Sequence, residues 1–238
     1  MGTIRNKKSY HGYILHGWTY SIDKYKKITS LLNLKGLKTT ILKVPGLTAK
    51  IEKSWDLNDY ILWLKKIVNK EKDRVVLIGH SNGGRIALNF TIKYPQKLAH
   101  LILIDSAGIY HNNLAVNVKR IIFKNVAKIG KKLSASEKLR NILYKIVGER
   151  DYKNADPLMR KTMINLIDSD KMLDLANVNI PTLIIWGKKD KTAPLSDGII
   201  MHESIKNSKL HIIDVARHSP QFTHTKEVAD VILKTLKV

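Results

Sequence analysis

The sequence contains no cysteine, which excludes disulfides, thiolate metal sites and cysteine nucleophiles and leaves only oxygen and nitrogen chemistry. Acidic residues are scarce: 20 Asp and Glu stand against 42 Lys and Arg, a formal net charge of +22 over 238 residues. Aromatics are also few, 7% with three Phe, and no basic tract is interleaved with aromatic rings in the way a single-strand nucleic-acid binder requires. No apolar run reaches the roughly 18 residues of a membrane-spanning helix. No signal-peptide core follows the basic start Met1–Lys8, so a cytosolic location without a membrane partner is the expectation. What is present, 44% hydrophobic and 26% charged residues, is the composition of an ordinary globular protein, and the length suits one α/β domain over residues 1–238.

The positive charge is spread rather than concentrated. Residues 111–176 carry 14 basic and 7 acidic side chains, a density close to that of the remainder, and only Asn117–Lys153 stands out with 11 basic and 3 acidic residues. Only eight of the basic residues are Arg, which fits a usage bias toward Lys. The charge therefore reads as a solvated surface, and no specific nucleic-acid partner is expected.

Six short runs rich in Ile, Val and Leu recur along the chain, each closed by turn residues: Tyr13–Leu15, Thr39–Val44, Val75–Ile78, Leu101–Ile104, Thr182–Trp186 and Leu210–Ile213. Uninterrupted apolar runs of this length suit strands buried on both faces, as in a parallel sheet covered by helices. Between them lie helical patterns, clearest over Leu57–Val68 and Lys226–Leu236. The economical architecture is an α/β fold with a doubly wound, mostly parallel sheet of about six strands. From Asn112 to Ala176 the rhythm breaks into Lys-rich amphipathic helical pattern without a strand, predicting a helical insertion at 112–176.

The chemistry-bearing motif is Gly79-His80-Ser81-Asn82-Gly83, placed between a predicted strand and a predicted helix. A serine flanked by glycines at such a junction fits a nucleophile elbow, where the tight turn needs small residues two positions either side. The elbow lifts the serine oxygen above the sheet and leaves the backbone N–H of Asn82 facing the oxygen that becomes charged. A serine hydroxyl needs a base, and the base an orienting carboxylate. Asp190 and His218 supply these types just beyond the fifth and sixth runs, so all three fall at carboxyl ends of strands, in the order Ser, Asp, His. Asp105, ending the run next to the elbow strand, is the second candidate for the acid, and Asp214 reads as shaping the loop before His218.

On these residues, together with Leu15-His16-Gly17-Trp18, Pro181–Asp190 and the segment from His218 to Ala229, the sequence resembles the α/β-hydrolase superfamily over nearly all of the chain after Tyr10. The resemblance implies a second oxyanion donor in the backbone N–H of Trp18 and a helical cap in the 112–176 insertion. Only fifteen residues precede His16, room for one strand rather than the two that the family commonly has there. Pro45-Gly46-Leu47 resembles the family's proline-glycine turn, but continues as Thr48-Ala49-Lys50 where another small residue is usual.

Further candidates are His16, Gly17 and His80 as substrate contacts beside the serine. Trp18, Phe123, Trp186 and Phe222 are candidates for lining an acyl or alcohol pocket, with plain core packing as the competing reading. His16 and His80 mimic a metal pair but lack a carboxylate cluster at ligand spacing, so no metal and no cofactor is expected. The expected activity is cleavage of carboxylic esters of small to medium acyl substrates through an acyl-enzyme. Thioesters, lactones, and esters on an acidic carrier protein docked at Lys119, Arg120, Lys124, Lys128, Lys131 and Lys132 remain as alternatives, as does a hydrolase-like binding protein without turnover.

Overall fold

In the computed structural model, which describes residues 9–19, 21–111 and 157–238, the apolar runs form six parallel strands: β1 (Tyr10–Leu15), β2 (Lys38–Ile41), β3 (Arg74–His80), β4 (Leu98–Ile104), β5 (Thr182–Gly187) and β6 (Ser208–Ile213). Among the described residues they make one sheet in the order β2-β1-β3-β4-β5-β6. Among the described residues the α-helices are α1 (Lys26–Leu34), α2 (Leu57–Val68), α3 (Asn82–Lys93), α4 (Pro157–Ser169), α5 (Leu195–Ser204) and, after β6, the short α6 (Pro220–Thr223) and α7 (Thr225–Leu236).

The unbroken runs follow from burial on both faces, because successive side chains of a strand point to opposite sides. In β3, Val75 and Leu77 enter one core and Val76 and Ile78 the other; in β5, Ile184 and Trp186 oppose Leu183 and Ile185. Tyr60 and Leu64 of α2, Ile86 and Phe90 of α3, Met163 of α4 and Met201 of α5 close the first face. Ile28 and Leu32 of α1 with Val228 and Ile232 of α7 close the second. Burying one such side chain completely contributes roughly 1.5–3 kcal/mol, so the two faces together hold the sheet. Helix α2 keeps the predicted bounds because Asp56 and Asp59 form a capping box, each side chain accepting the other's backbone N–H at 3.0 Å.

The strands depart from the predicted apolar runs at their ends: β3, β4 and β6 each begin earlier, at Arg74, Leu98 and Ser208. β1 begins at Tyr10, because His11 and Gly12 pair with β2 and β3 despite their composition. β2 stops at Ile41, and Leu42 and Val44 are buried as irregular chain, the Leu42 N–H donating to the Ile14 carbonyl at 2.9 Å. Of the predicted insertion, residues 157–176 contain α4, the 3₁₀ turn Asp170–Met172 and the start of a second, Leu175–Asn177. Residues 112–156, with Phe123 and the basic residues from Lys119 to Lys132, lie outside the described residues.

Candidate active site

Because all six strands run the same way, their carboxyl ends meet along one edge, where β1 delivers Gly17, β3 Ser81, β4 Asp105, β5 Asp190 and β6 His218. Ser81 sits between β3 and α3 with φ 53° and ψ −121°, a backbone conformation costing of order 1–3 kcal/mol for a residue with a side chain. The surroundings impose it. A Cβ on Gly83 would lie 2.1 Å from the Leu15 carbonyl oxygen, and one on Gly79 2.5 Å from the Gly84 Cα. Neither position tolerates a side chain, which is the physical content of the flanking glycines. The Ser81 carbonyl is held by the N–H groups of Gly84 and Ala107 at 2.9 and 3.0 Å.

His218 Nε2 lies 3.0 Å from Ser81 Oγ and its Nδ1 lies 2.6 Å from Asp190 Oδ2. With a carboxylate as partner, Nδ1 carries the hydrogen and donates, so the Nε2 lone pair faces the serine hydroxyl. The other oxygen of Asp190, Oδ1, accepts from the backbone N–H groups of Thr192 and Ala193 at 2.7 and 3.1 Å. The Asp190 side chain is fully buried and that of His218 is a quarter exposed. Asp105, the second candidate acid, does not meet the imidazole at Nδ1. Its Oδ1 accepts the Gly187 N–H at 2.8 Å, bracing the turn that leads to Asp190. It is fully buried at φ 41°, and burial pushes its carboxyl up to about 8, so it is neutral at pH 7. Asp214 instead pairs with Lys188 at the surface.

The two histidines expected as substrate contacts are held by hydrogen bonds within the chain. His80 donates from Nε2 to the His218 carbonyl at 2.8 Å; a carbonyl only accepts, so the hydrogen is on Nε2, and Nδ1 accepts the Tyr25 hydroxyl at 2.9 Å. Burial, with His218 close by, pushes its pKa down to about 3, so the ring is neutral. Adjacent residues thus hold His218 twice, His80 by its carbonyl and Ser81 by its ring. His16 donates from Nδ1 to the Gly17 carbonyl at 2.8 Å and accepts the Thr48 hydroxyl at Nε2 at 2.7 Å, while the Thr48 oxygen accepts the Val44 N–H. Burial lowers its pKa as well. Thr48, the departure from the family's small residue, therefore ties the His-Gly turn to the chain after β2. His80, Asp105 and His218 bring ligand-type atoms within 4.8 Å of one another, but the ring nitrogens of both histidines are already engaged as described.

Trp186 belongs to the core cluster on one face of the sheet. It is fully buried, packs against Gly198 and donates from Nε1 to the Ala193 carbonyl at 3.0 Å. Phe222 stands edge-on to Tyr25 with ring centroids 4.8 Å apart and backs the Tyr25–His80 pair. Gly17 lies against the serine, since a Cβ there would be 3.0 Å from that of Ser81; the half-buried Trp18 follows it. A cleft of about 470 Å³ is lined by Gly108, Tyr110, Asp170, Leu173 and Ile200 among others; neither Ser81 nor His218 is among its described lining residues. Sequence reading missed Arg85, which is buried on the first turns of α3 and bonded to Asp170 and Asn82; a charged residue inside an otherwise apolar helix face was the available signal.

The parallel sheet covered on both faces, with an elbow serine at the end of β3, defines an α/β-hydrolase. Residues 12–223 match the family described as serine aminopeptidase, S33, and the chain belongs to that family. Among curated proteins it is similar to 2-hydroxy-6-oxononadienedioate/2-hydroxy-6-oxononatrienedioate hydrolase 1 of Pseudomonas putida, 23% identical over 76% of this chain and 69% of that protein. It spans 62% of the length of a hydrolase of corresponding name from Burkholderia vietnamiensis. It is also similar to a monoacylglycerol lipase of Mus musculus, 23% identical over 94% of this chain and 74% of that protein. Among solved structures an esterase from Exiguobacterium antarcticum superposes with a TM-score of 0.73 over 98% of this chain and 93% of the other, at 18% identity.

Proposed function

We propose that this protein hydrolyses carboxylic esters of small to medium acyl substrates, with Ser81 as nucleophile, His218 as general base and acid, and Asp190 as the carboxylate that fixes the imidazole. The observation that carries this reading is the 3.0 Å approach of His218 Nε2 to Ser81 Oγ, with the opposite ring nitrogen committed to Asp190. As Ser81 Oγ attacks the ester carbonyl, its proton passes to His218 Nε2, and Asp190 stabilises the imidazolium without taking a proton itself. The first N–H groups of a helix have no preceding turn to bond. The Asn82 N–H, first in α3, and the Trp18 N–H beside Gly17 are assigned to the developing oxyanion, each such donor being worth ~3 kcal/mol. The imidazolium then protonates the departing alcohol, and water repeats the sequence on the acyl-enzyme.

Several bond types fit the same steps: thioesters, lactones and, given the family's description, amides. The test is a panel of nitrophenyl esters of rising chain length with a lactone, a thioester, a carrier-bound ester and an aminoacyl nitroanilide alongside. Ester turnover is expected, and the Ser81→Ala variant should fall by at least about a thousandfold while its circular dichroism is unchanged. Ester hydrolysis retained in that variant would end the assignment, and nitroanilide turnover without ester turnover would replace it.

A further inference from the structure

Arg85 and Asp170 form a buried ion pair that nothing in the proposed chemistry uses. Arg85 Nε and Nη2 donate to the two Asp170 oxygens at 2.7 and 2.8 Å, and Nη1 donates to Asn82 Oδ1 at 2.6 Å. The three residues are 6%, 6% and 1% exposed. A buried pair of this kind is weak as a source of stability, because desolvating two charges offsets their attraction. A planar guanidinium satisfied on three nitrogens does, however, fix direction. The residue fixed is Asn82, which follows the nucleophile, and the anchor is Asp170, the residue directly after α4, at the end of the insertion.

We propose that Asp170 and Arg85 are positioning residues that hold the Asn82 peptide N–H in line for the oxyanion, so that the end of the insertion takes part in building the oxyanion site. This rests on the reading of Ser81 as nucleophile. Asp170 anchors Arg85 through both carboxylate oxygens, Arg85 reaches one turn back along α3 to the Asn82 carboxamide, and the carboxamide restrains the rotation of Asn82 at the first position of the helix. Misplacement of a reacting group by about 1 Å costs on the order of a hundredfold in rate, so loss of this restraint acts on the chemical step.

The test uses the full-length protein, two variants and their combination. The double variant Arg85→Met/Asp170→Leu replaces the pair by apolar side chains, which proteins often accept without loss of stability; Asn82→Ala leaves the ion pair intact and removes only its hold on the peptide. Rates of phosphonylation of Ser81 by a fluorophosphonate and kcat and KM for a nitrophenyl ester are measured at 25 °C on protein shown to be folded. Both variants are expected to lose about ten- to a hundredfold in kcat and in phosphonylation rate, with KM and the pH dependence of kcat/KM unchanged, since His218 and Asp190 are untouched. Adding Asn82→Ala to the double variant should cost nothing more. If either folded variant keeps kcat within twofold of the parent, or changes only KM or the melting temperature, the pair is structural and the inference is overturned. A parent protein that fails to label at Ser81 would instead overturn the reading of the site, and this inference with it.

Discussion

Replacing Asp190 by Asn tests the imidazole's orientation at its source. The native carboxylate faces three donors: the Thr192 and Ala193 N–H groups on Oδ1 and the His218 Nδ1–H on Oδ2. An asparagine has one oxygen for these two sides. Turning its NH₂ toward the backbone pair would leave the buried Ala193 donor unsatisfied at about 1–3 kcal/mol and oppose the part-buried Thr192 N–H as well, against a single conflict on the histidine side. The oxygen therefore stays with Thr192 and Ala193, and the NH₂ faces His218. To avoid two opposed hydrogens, the ring must carry its proton on Nε2, where it can no longer accept from Ser81. A wrong tautomer of this kind lowers kcat by about 10⁴-fold in comparable serine hydrolysis, or roughly 5.4 kcal/mol in the barrier. The assay is nitrophenyl-ester hydrolysis with an ¹⁵N spectrum of His218, expected to show Nδ1–H in the parent and Nε2–H in Asp190→Asn. A variant that keeps more than a tenth of the parental kcat, or whose ring remains Nδ1–H, would refute this account of Asp190.

Three other outcomes follow from the same geometry. His80 should show the Nε2–H tautomer and remain neutral from pH 5 to 9, because its native pKa lies near 3; a titration near pH 6.5 would mean that it is not held as described. Since unfolded His80 binds a proton between pH 6.5 and 3 while the native ring does not, it makes stability fall on acidification through that window. Glu71 acts in the same direction: backbone N–H groups with Tyr13 and His11 hold its carboxylate at about 2, so its contribution is present above pH 4.5 and lost as pH falls toward 2. Chemical denaturation of Glu71→Gln should show a smaller loss of stability between pH 5 and 3 than the parent. Asp105 has the opposite sign. Its native carboxyl holds a proton up to about pH 8, whereas the unfolded one loses it near 3.8, so this group makes stability decline as pH rises through that interval. Asp105→Asn, which can keep the oxygen accepting from Gly187, should stabilise the fold more at pH 8 than at pH 5. Equal shifts at both pH values would show that the carboxyl is ionised.

The sheet was legible because burial on both faces leaves an uninterrupted apolar signature, and parallel strands put the residues that end them on one edge. That is why Ser81, Asp190 and His218 could be brought together from order alone. The edges of β1 and β2 were not, since pairing partners extended one through His11-Gly12 and irregular but buried chain took over from the other. Nor could sequence tell Trp186 in the core from a ring in a pocket, because which face a residue occupies depends on the pleat and not on its type. The hydrogen bonds that hold His16 and His80 were not legible either. Their partners, Thr48 and the His218 carbonyl, are 32 and 138 positions away. Asp105 and Asp190 are the same residue type at equivalent strand ends, and only the loop from Gly187 decides which one reaches the imidazole.

The 3.0 Å contact between Ser81 and His218 spans 137 positions of chain, with β4, β5 and β6 closing between them. No assembly lacking β4, β5 or β6 brings Ser81 and His218 together, so turnover on refolding should appear only once β3 to β6 have paired, after helical signal has returned. Activity recovery then serves as a clock for the pairing of β3 through β6, lagging ellipticity by the time those strands take to dock.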